Sequence, residues 1–553
     1  MNSNLNLDSL SHSGVRKNYI FILAFVMIFL IFITHSIYLS VVTEDAFISF
    51  RYANNFVNGL GLVWNTGDLP VEGYTNFLWI ILCSVGLLLN LELTTFSQLL
   101  GILSGIIALI YVYKIANKIL GFKIKTALIP CLMLAVSGPF ATWASSGMET
   151  NLFTLFIVGS IFYELNFWLN YKRSSLILLF LFLLLASLTR PEGFGLFLIL
   201  FIFHLLKTKE SKSSSQFRQS LLAAFIIFII PFTVYFIWRF SYFGYLLPNT
   251  YYAKTGGGIF QWLRGLAYIL YFFLHYLLPA LPMFTIFIWI SLDGIKIKMA
   301  VHEIVVKIND DIRAYSFFIF FTICILYSVY IIYIGGDYMA MYRFFVPILT
   351  FVYLLLTQCY NIISTSTSNN NNRNLSFILL IFFILGTIIQ STPLDKFVFA
   401  KSIRQHGQYQ GVLFERWHSN RLTMLGKFFN NYKTSYNESI ATDAIGAIAY
   451  YSGLKVYDYH GLVDSHISHL ENENLGKGFP GHEKKDFVYI LSKKPTFLMF
   501  NRELTKNQAE VPVYPESIKA IIESDYKLVS VWLKDDLNNE SGFFNFFQRI
   551  NKM

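Results

Sequence analysis

The sequence predicts a polytopic α-helical membrane protein that ends in a soluble domain of mixed α/β structure. Of its 553 residues, 55% are hydrophobic and only 14% are charged. Apolar runs recur from Tyr19 to Gln390, most of them long enough to cross a hydrocarbon core of about 30 Å. After Ser391 no run is long enough, and short apolar runs at 455–459, 487–491 and 496–500 alternate with polar and glycine-rich turns, a pattern typical of α/β domains.

About eleven membrane-spanning helices are predicted, with the amino terminus inside. They cover residues 19–41, 98–113, 127–144, 151–169, 175–189, 193–206, 220–238, 275–292, 315–334, 344–360 and 375–391. Seventeen lysine and arginine residues then fall in the inner segments up to residue 374, and six fall in the outer ones. Because cytoplasmic loops carry the basic excess, this asymmetry supports the orientation and puts the carboxyl terminus outside. No cleavable signal peptide is expected, because the first span is long and no small-residue cleavage site follows it.

Two apolar stretches, residues 77–91 and 260–273, are predicted to lie along the outer membrane surface. The first has 15 residues, whereas a crossing helix needs about 20. If it crossed, the lysines from Lys114 to Lys125 would fall outside and every later loop would invert. The chain therefore divides into a transmembrane domain, residues 1–391, and an outer domain, residues 392–553, which is large enough to have its own core.

The most informative stretch, residues 41–76, directly follows the first span and reads VVTEDAFISFRYANNFVNGLGLVWNTGDLPVEGYTN. It has two adjacent carboxylates, Glu44 and Asp45, then Arg51 and Glu72. Carboxylates at the edge of the hydrocarbon are costly to desolvate, so their presence favours a functional site over a spacer. The alternative is an ordinary polar loop in which Asp45 caps the following helix.

Four further outer segments mix acids and bases. They are SSGMETN with Glu149, TRPEG with Arg190, PNTYYAK with Asn249 and Lys254, and GGDYMAMYRF with Asp337 and Arg343. Each alone is explained by the ending of a helix, but five such segments on one face predict a cavity open to the outside. Its carboxylates suit acid–base chemistry and its cations suit an anionic ligand.

The same motifs carry a family resemblance. EDAFISFRYANNFVNGLGLVWNTGDLPVEGYTNFLW is similar to the first-loop signature of a bacterial family of integral-membrane glycosyltransferases of the GT-C type. That family includes the mycobacterial terminal arabinofuranosyltransferases (AftB) and related proteins known as LphB or as flagellar motor control proteins. Further matches are SGMET, TRPEG, PNTYYAK, GGDYM followed by RF, and PGHEK at 480–484. Many relatives have two aspartates where this chain has Glu44 and Asp45.

The resemblance implies a GT-C-like transmembrane domain that transfers a glycosyl residue, such as the pentose arabinofuranose, from a polyprenyl-phosphate sugar. The acceptor would be a cell-envelope glycan at the outer face of a bacterial inner membrane. Asp45 would be the catalytic base, with Glu44 orienting the acceptor or standing in for Asp45. The cations expected at the leaving phosphate are Arg343, Lys254, Arg190 and Arg51. The residues expected to bind substrate are Glu72, Tyr74, Asn76, Glu149, Asn249, Asp337, Asp443 and His482.

The expected partners are the lipid-linked donor, the glycan acceptor and membrane lipid, without nucleic acid. No cofactor is certain; a divalent metal is left open, although the histidines at 460, 466, 469 and 482 match no paired-ligand spacing. Two other classes also stay open. One is a transporter or flippase of lipid-linked sugar, which would usually show repeats and midplane polar groups. The other is a non-catalytic envelope or motor assembly protein that keeps the fold.

Overall fold

The structure is a computed structural model that describes residues 7–210, 214–277, 311–366, 370–393, 409–435 and 437–550. These residues form a large helical part followed by a segment built around a β-sheet. Most of the predicted span at residues 275–292 lies outside the described residues.

The helical part begins with ten helices up to residue 210. They are α1 Leu7–Tyr38, α2 Ala46–Val57, α3 Phe77–Leu88, α4 Leu93–Lys114, α5 Ile124–Ala127, α6 Ile129–Ala135, α7 Gly138–Ala144, α8 Thr150–Asn170, α9 Arg173–Thr189 and α10 Glu192–Glu210. The next helices are α11 Ser214–Ala223, α12 Ile230–Phe243, α13 Asn249–Lys254, α14 Gly258–Phe272, α15 Ile312–Ile334, α16 Val346–Ser366 and α17 Asn370–Gln390. Helices α4, α11 and α14 each continue into a π-helical turn.

Six helical segments of the described residues are long and apolar enough to cross a membrane. They are Phe21–Tyr38, Leu93–Ile119, Thr150–Asn170, Ser215–Phe243, Ile312–Ile334 and Ala340–Ser364. A bent pair of helices raises the number to seven, and three apolar helices are shorter: Phe77–Leu88, Arg173–Thr189 and Asn374–Gln390. The chain is thus a multi-pass membrane protein by composition and helix length, and the predicted number of about eleven spans is not confirmed.

The predicted span over residues 127–144 is a bent pair of helices. Residues Ile124–Ala135 and Gly138–Ala144 form two helical segments that meet at 64°. The break falls at Ser137, whose backbone is extended, and Pro139 lies in the first turn of α7, where its missing N–H costs no hydrogen bond. The bend brings Trp143 of α7 to the turn after α15, where its indole Nε1 donates to the carbonyl of Ala340 at 3.1 Å.

The two stretches predicted to lie on the membrane surface are both helical. The first is α3, a helix of 12 residues that packs against α2. The second, α14, does not end at residue 273 as predicted, because a π-helical turn, Phe273–Leu277, continues it.

The carboxyl-terminal segment holds a mixed five-stranded sheet, as the sequence predicts. Its elements are α18 Tyr409–Tyr432, β1 Ser439–Thr442, α19 Gly446–Ser452, β2 Lys455–Asp458, α20 Ser465–Ser468, α21 Phe487–Ser492, β3 Phe497–Leu498, α22 Lys519–Asp525, β4 Tyr526–Asp535 and β5 Glu540–Arg549. The strand order is β2-β1-β3-β5-β4, with β1 parallel to β2 and β3 and with β5 antiparallel to β3 and β4.

Of the three short apolar runs in this segment, the first and third contain strands β2 and β3, whereas the run at 487–491 is helical. Asp486 caps this helix, because its carboxylate accepts from the backbone N–H of Tyr489 at 2.9 Å. The division of the chain at residue 391 stays a prediction.

Candidate functional site

A cavity of about 430 Å³ lies where the first outer loop, α13 and the turn after α15 meet. Eight residues expected from the sequence line it: Asp45, Tyr74, Asn76, Glu149, Arg190, Lys254, Asp337 and Arg343. Its volume falls within the range of about 300–1,000 Å³ that is usual for small-molecule sites. Tyr74, whose ring packs edge-on against Tyr52, supplies an aromatic wall.

Asp45 stands at the position that precedes α2, but its carboxylate does not cap that helix. The side chain is 19% exposed, and its Oδ2 lies 4.0 Å from Nη1 of Arg343. Within the described ranges no group donates a hydrogen bond to this carboxylate. The capping alternative is therefore not the one that the structure adopts, and Asp45 faces the cavity with its acceptor capacity unused.

Arg343 reaches the cavity from a strained turn. After α15 the chain passes Gly335 and Gly336 and enters a 3₁₀ turn, Ala340–Phe345. Inside this turn Met341 and Tyr342 have φ of 57° and 45°. Two consecutive non-glycine residues in the left-handed region cost roughly 1–2 kcal/mol each, and such strain is concentrated at functional sites.

Asp337 orients Arg343. Its Oδ1 accepts from the backbone N–H of Tyr338 at 2.9 Å, and its Oδ2 pairs with Nε of Arg343 at 2.8 Å. Both side chains are less than a tenth exposed. Because one carboxylate is held by the turn and in turn holds the guanidinium, the cation is fixed before any ligand arrives.

Lys254, the last residue of α13, lines the cavity without a partner. In the described part of the chain its ammonium makes no ion pair or hydrogen bond. Burial lowers the pKa of Lys254, and the nearby Asp45 opposes this shift. Its stem lies against Gly481 of the PGHEK motif, where an added Cβ would stand 2.9 Å from Cε of Lys254. Gly481 also has φ of +79°, so a larger residue would be strained there and would displace the stem of Lys254.

Arg190 also lines the cavity and is held by two carboxylates. Its Nη1 lies 2.7 Å from Oε1 of Glu149, and its Nη2 lies 2.8 Å from Oε1 of Glu192. The second oxygen of Glu149 accepts from Nδ2 of Asn76 at 2.8 Å. This group carries a net negative charge, so Arg190 is less available to a phosphate than Lys254 is.

Glu44 does not reach the cavity. It is buried, and its carboxylate accepts from the backbone N–H groups of Gly446 and Ala447 at the start of α19. Burial, and then the charge of Asp45, raise the pKa of Glu44 to about 8. An added Cβ on Gly446 would stand 2.2 Å from the carbonyl oxygen of Glu44. The expected role of Glu44 beside Asp45 stays a prediction, and in this structure its carboxylate contacts the carboxyl-terminal segment.

Arg51 is likewise engaged away from the cavity. Its guanidinium donates to the carbonyls of Trp64, Ala449 and Leu454 and to Oδ1 of Asn65, at 2.8–3.0 Å. These bonds leave little capacity for the phosphate contact that the sequence suggests.

The bonds of Glu44 and Arg51 belong to one interface, between residues 41–76 and residues 445–468, which we call the seam. The side-chain amide of Asn65 bonds both the N–H and the carbonyl of Val456, so it also covers the edge strand β2.

Glu72 and Asn249 are expected from the sequence to bind substrate, but in the structure both side chains bond to other residues of the protein. Glu72 pairs with Arg239, with Nε and Oε1 2.9 Å apart. The Asn249 amide donates to the carbonyls of Gly461 and Leu462 at 2.8 and 2.9 Å, which extends the seam. Neither residue lines the cavity in the part of the chain that the structure describes.

Asp443 and His482 lie in the carboxyl-terminal segment near the cavity but not on its wall. Asp443 forms a partly exposed ion pair with Arg502 at 3.7 Å. His482 packs 4.6 Å from the ring of His460 and 5.4 Å from that of Tyr338, and burial lowers its pKa.

Sequence reasoning missed Glu415. This residue of α18 is buried, and burial, followed by the charges of Asp45 and Asp337, raises the pKa of Glu415 to about 7. The neighbouring Arg416 donates to the carbonyl of Ser40 at 3.0 Å, which fixes α18 beside the segment that carries Asp45. Glu415 follows Asp45 by some 370 residues in the chain. The amphipathic pattern of α18 therefore gives no sign in the sequence that Glu415 lies near Asp45.

Among the described residues, no three histidine, cysteine or acidic side chains lie close enough together to hold one metal ion. A divalent metal is thus not assigned to particular residues of the chain.

Comparison with known proteins identifies the fold. The chain is similar to ArnT from Cupriavidus metallidurans bound to undecaprenyl phosphate, with a TM-score of 0.55 and 11% identity over 96% of this chain and 97% of that one. The apo state of the same protein gives a TM-score of 0.54 with 10% identity, over 96% and 98% of the two chains. The Archaeoglobus fulgidus oligosaccharyltransferase gives 0.51 with 10% identity, over 87% of this chain and 69% of that one. The protein thus has the fold of GT-C membrane glycosyltransferases.

Sequence comparison is less informative. A protein-family model described as a domain of unknown function (DUF8728) matches residues 402–547, the part that holds α18 and the sheet. No curated protein matches the chain.

Proposed function

We propose that this protein is a glycosyltransferase that takes its sugar from a polyprenyl-phosphate donor at the outer face of a bacterial inner membrane. The proposal rests on one observation. A carboxylate that does not cap its helix lies in the same cavity as two cations. Asp45 lies 4.0 Å from Arg343, and Lys254 lines the same cavity with no hydrogen bond or ion pair to any described residue. The fold is shared with ArnT, whose structure holds undecaprenyl phosphate.

The groups suit a direct displacement. Asp45 would take the proton of the acceptor hydroxyl while that oxygen attacks the anomeric carbon of the donor. The bond between the anomeric carbon and the lipid phosphate oxygen breaks, and the phosphate leaves with an additional negative charge. Arg343, fixed by Asp337, and the unpaired Lys254 would stabilise that charge as it develops.

The remaining cavity groups suit recognition of the sugar. Glu149 and Asn76 form one bonded pair, and the ring of Tyr74 offers an apolar face beside them. Arg190, already bonded to two carboxylates, would hold this wall in place. The donor sugar, arabinofuranose or another, and the envelope glycan acceptor belong to the proposal, as do a cytoplasmic amino terminus and a periplasmic carboxyl-terminal segment.

The test is sugar transfer by the purified protein from a panel of polyprenyl-phosphate sugars. We expect Asp45→Asn to lower the rate of transfer by about 10²–10⁴-fold, the usual contribution of a general base. Asp68→Asn is the matched control, because this half-exposed aspartate of the same loop pairs with Lys455 at the surface. Transfer that is unchanged in Asp45→Asn would contradict the assignment of the base.

A transporter of lipid-linked sugar is the second candidate. The broken span at Ala135 and Gly138, which contacts the turn carrying Arg343, is a feature that transporters share. Movement of donor across proteoliposome membranes, without transfer and without sensitivity to Asp45→Asn, would favour this alternative. A non-catalytic assembly protein would show neither activity.

A further inference from the structure

A second cavity, of about 470 Å³, adjoins the candidate active site. Its walls include the rings of Tyr251, Tyr252, Trp262 and Tyr333, together with Ser468 and Lys484. Tyr251, Tyr333 and Thr255 line both cavities, and the hydroxyl groups of the two tyrosines hydrogen-bond to each other at 2.6 Å. This tyrosine pair is therefore part of the partition between the two cavities.

The second cavity is held open by buried polar side chains. Gln261 accepts from the N–H of Gly257 at 2.9 Å and donates to the carbonyl of Tyr333 at 2.8 Å. The Lys484 ammonium donates to the carbonyls of Tyr252 and Ser468 at 3.0 and 2.7 Å. Because these bonds join the helices that form its walls, the cavity exists before a ligand binds, which lowers the cost of ordering on binding.

The chemistry of these walls suits a neutral, hydroxylated ring. No carboxylate lines the second cavity in the described residues. The ammonium of Lys484 already donates to two carbonyls, which leaves one N–H for a ligand hydroxyl, and its charge disfavours a cation. Aromatic faces pack well against the C–H faces of a sugar ring, while the tyrosine hydroxyls can bond its hydroxyl groups. A hydrocarbon chain would leave those hydroxyls without new partners.

We propose that this second cavity binds one neutral sugar unit of the glycan acceptor, next to the unit that is glycosylated. The inference rests on the proposed function of the first cavity. Since the two cavities share a wall that includes Tyr251, Tyr333 and Thr255, an acceptor of two or more units can occupy both. Its terminal hydroxyl then lies on the side of Asp45, and its second ring lies against the aromatic walls.

The experiment is saturation-transfer difference NMR on the full chain in lipid nanodiscs. The probes are neutral di- and trisaccharides of arabinose, galactose, mannose, glucose and N-acetylglucosamine. We expect at least one saccharide to bind the wild type through its ring protons, and its affinity to fall about fivefold or more in Trp262→Leu. Trp532→Leu is the matched control, because Trp532 on β4 is 57% exposed and Trp262 is 47% exposed.

A more conservative variant keeps the test decisive if Trp262→Leu does not fold. Tyr251→Phe removes only the hydroxyl of the partition, and we expect saccharide binding to weaken roughly threefold to tenfold. Absence of saccharide binding to the wild type, or equal binding by Trp262→Leu, would overturn the inference. Farnesyl phosphate binding that is lost in Trp262→Leu, with saccharide binding unchanged, would show a lipid groove instead.

The outcome is independent of the proposed chemistry, because the NMR measurement requires no turnover. Asp45→Asn should retain saccharide binding. If Asp45→Asn abolishes transfer while Trp262→Leu binds saccharides normally, only the second-cavity inference fails. If Trp262→Leu loses saccharide binding while no donor supports transfer, the sugar site stands and the glycosyltransferase proposal fails.

Discussion

Glu44 and Asp45 are neighbours in the chain, but one belongs to the seam and the other to the first cavity. At the seam, the carboxylate of Glu44 and the guanidinium of Arg51 bond to backbone groups of residues 446–454. In the cavity, Asp45 and Lys254 keep their bonding capacity. A charged residue at the membrane edge thus indicates only a polar environment. A charged residue that keeps unused hydrogen-bond capacity indicates a ligand-binding site.

The seam also fixes the backbone on both sides of a residue of the first cavity. Glu44 fixes the residue that directly precedes Asp45, and Arg51 fixes the next helix, α2. Through these bonds the carboxyl-terminal segment holds the residues on either side of Asp45, although it supplies little of the first cavity wall. Leu462 and Pro480 are its residues on that wall.

The largest effect on stability is expected at the seam. Arg51→Met should lower the free energy of unfolding by about 3–5 kcal/mol, because it removes the four buried hydrogen bonds that the guanidinium donates to three carbonyls and the Asn65 amide oxygen. Thermal unfolding in nanodiscs measures the loss. Arg549→Met, at an exposed position, should change the midpoint little. A stable Arg51→Met protein with weakened donor affinity would restore the phosphate-binding role to Arg51.

In the cavity we expect a loss of activity without a loss of stability. Lys254→Met should lower kcat/KM by about 10–100-fold, the value of one or two charge-assisted bonds to phosphate. The midpoint of thermal unfolding should not fall, because Lys254 makes no described bond that the substitution breaks. Lys254→Arg should recover much of the rate. A large loss of stability in Lys254→Met would show that this residue belongs with the seam.

The pH dependence sharpens the assignment of Lys254. Burial lowers the pKa of Lys254, so its ammonium deprotonates at a lower pH than that of an exposed lysine. Since only the charged form attracts the phosphate, kcat/KM should fall as the pH rises through that lowered pKa. In Lys254→Arg the alkaline fall should move to higher pH, because arginine stays protonated. Identical profiles for the two proteins would exclude Lys254 as the titrating group.

The smallest effects are expected at Glu44. Glu44→Gln keeps a carbonyl acceptor for Gly446 and Ala447, so stability at acidic pH, where the Glu44 carboxyl is protonated, should change by less than about 0.5 kcal/mol. Glu44→Ala leaves both N–H groups unpaired and should cost about 1–3 kcal/mol. Thermal unfolding compares the two variants. A loss of transfer in Glu44→Gln as large as that in Asp45→Asn would mean that the two carboxylates share the base function.

Glu44 also gives a pH test of stability. The folded state raises the pKa of Glu44 to about 8, so it binds a proton that the unfolded chain releases at lower pH. Its contribution is therefore present at acidic pH and is lost as the pH rises toward 8. Glu44→Gln should remove that part of the decline.

The fold class was largely predictable, and the details of the helices were less so. Apolar runs located the helices at Thr150–Asn170 and Ile312–Ile334 within a few residues. The same signal missed the bend between α6 and α7, because hydropathy is unchanged across Ser137 and Pro139. It also gave no account of the strained turn before Arg343, whose conformation depends on what it packs against.

Composition and local pattern were enough to predict a helical membrane protein with a mixed α/β segment near its carboxyl end, and to single out the loops that meet at the cavity. These properties depend on composition and local pattern, which any stretch of sequence displays. Only the tertiary structure decided that Asp45, Lys254 and Arg343 share a cavity while Glu44, Arg51 and Asn249 bind the carboxyl-terminal segment. The physical reason is that hydrogen-bond partners some 400 residues away consume the capacity of one charge and leave its neighbour free.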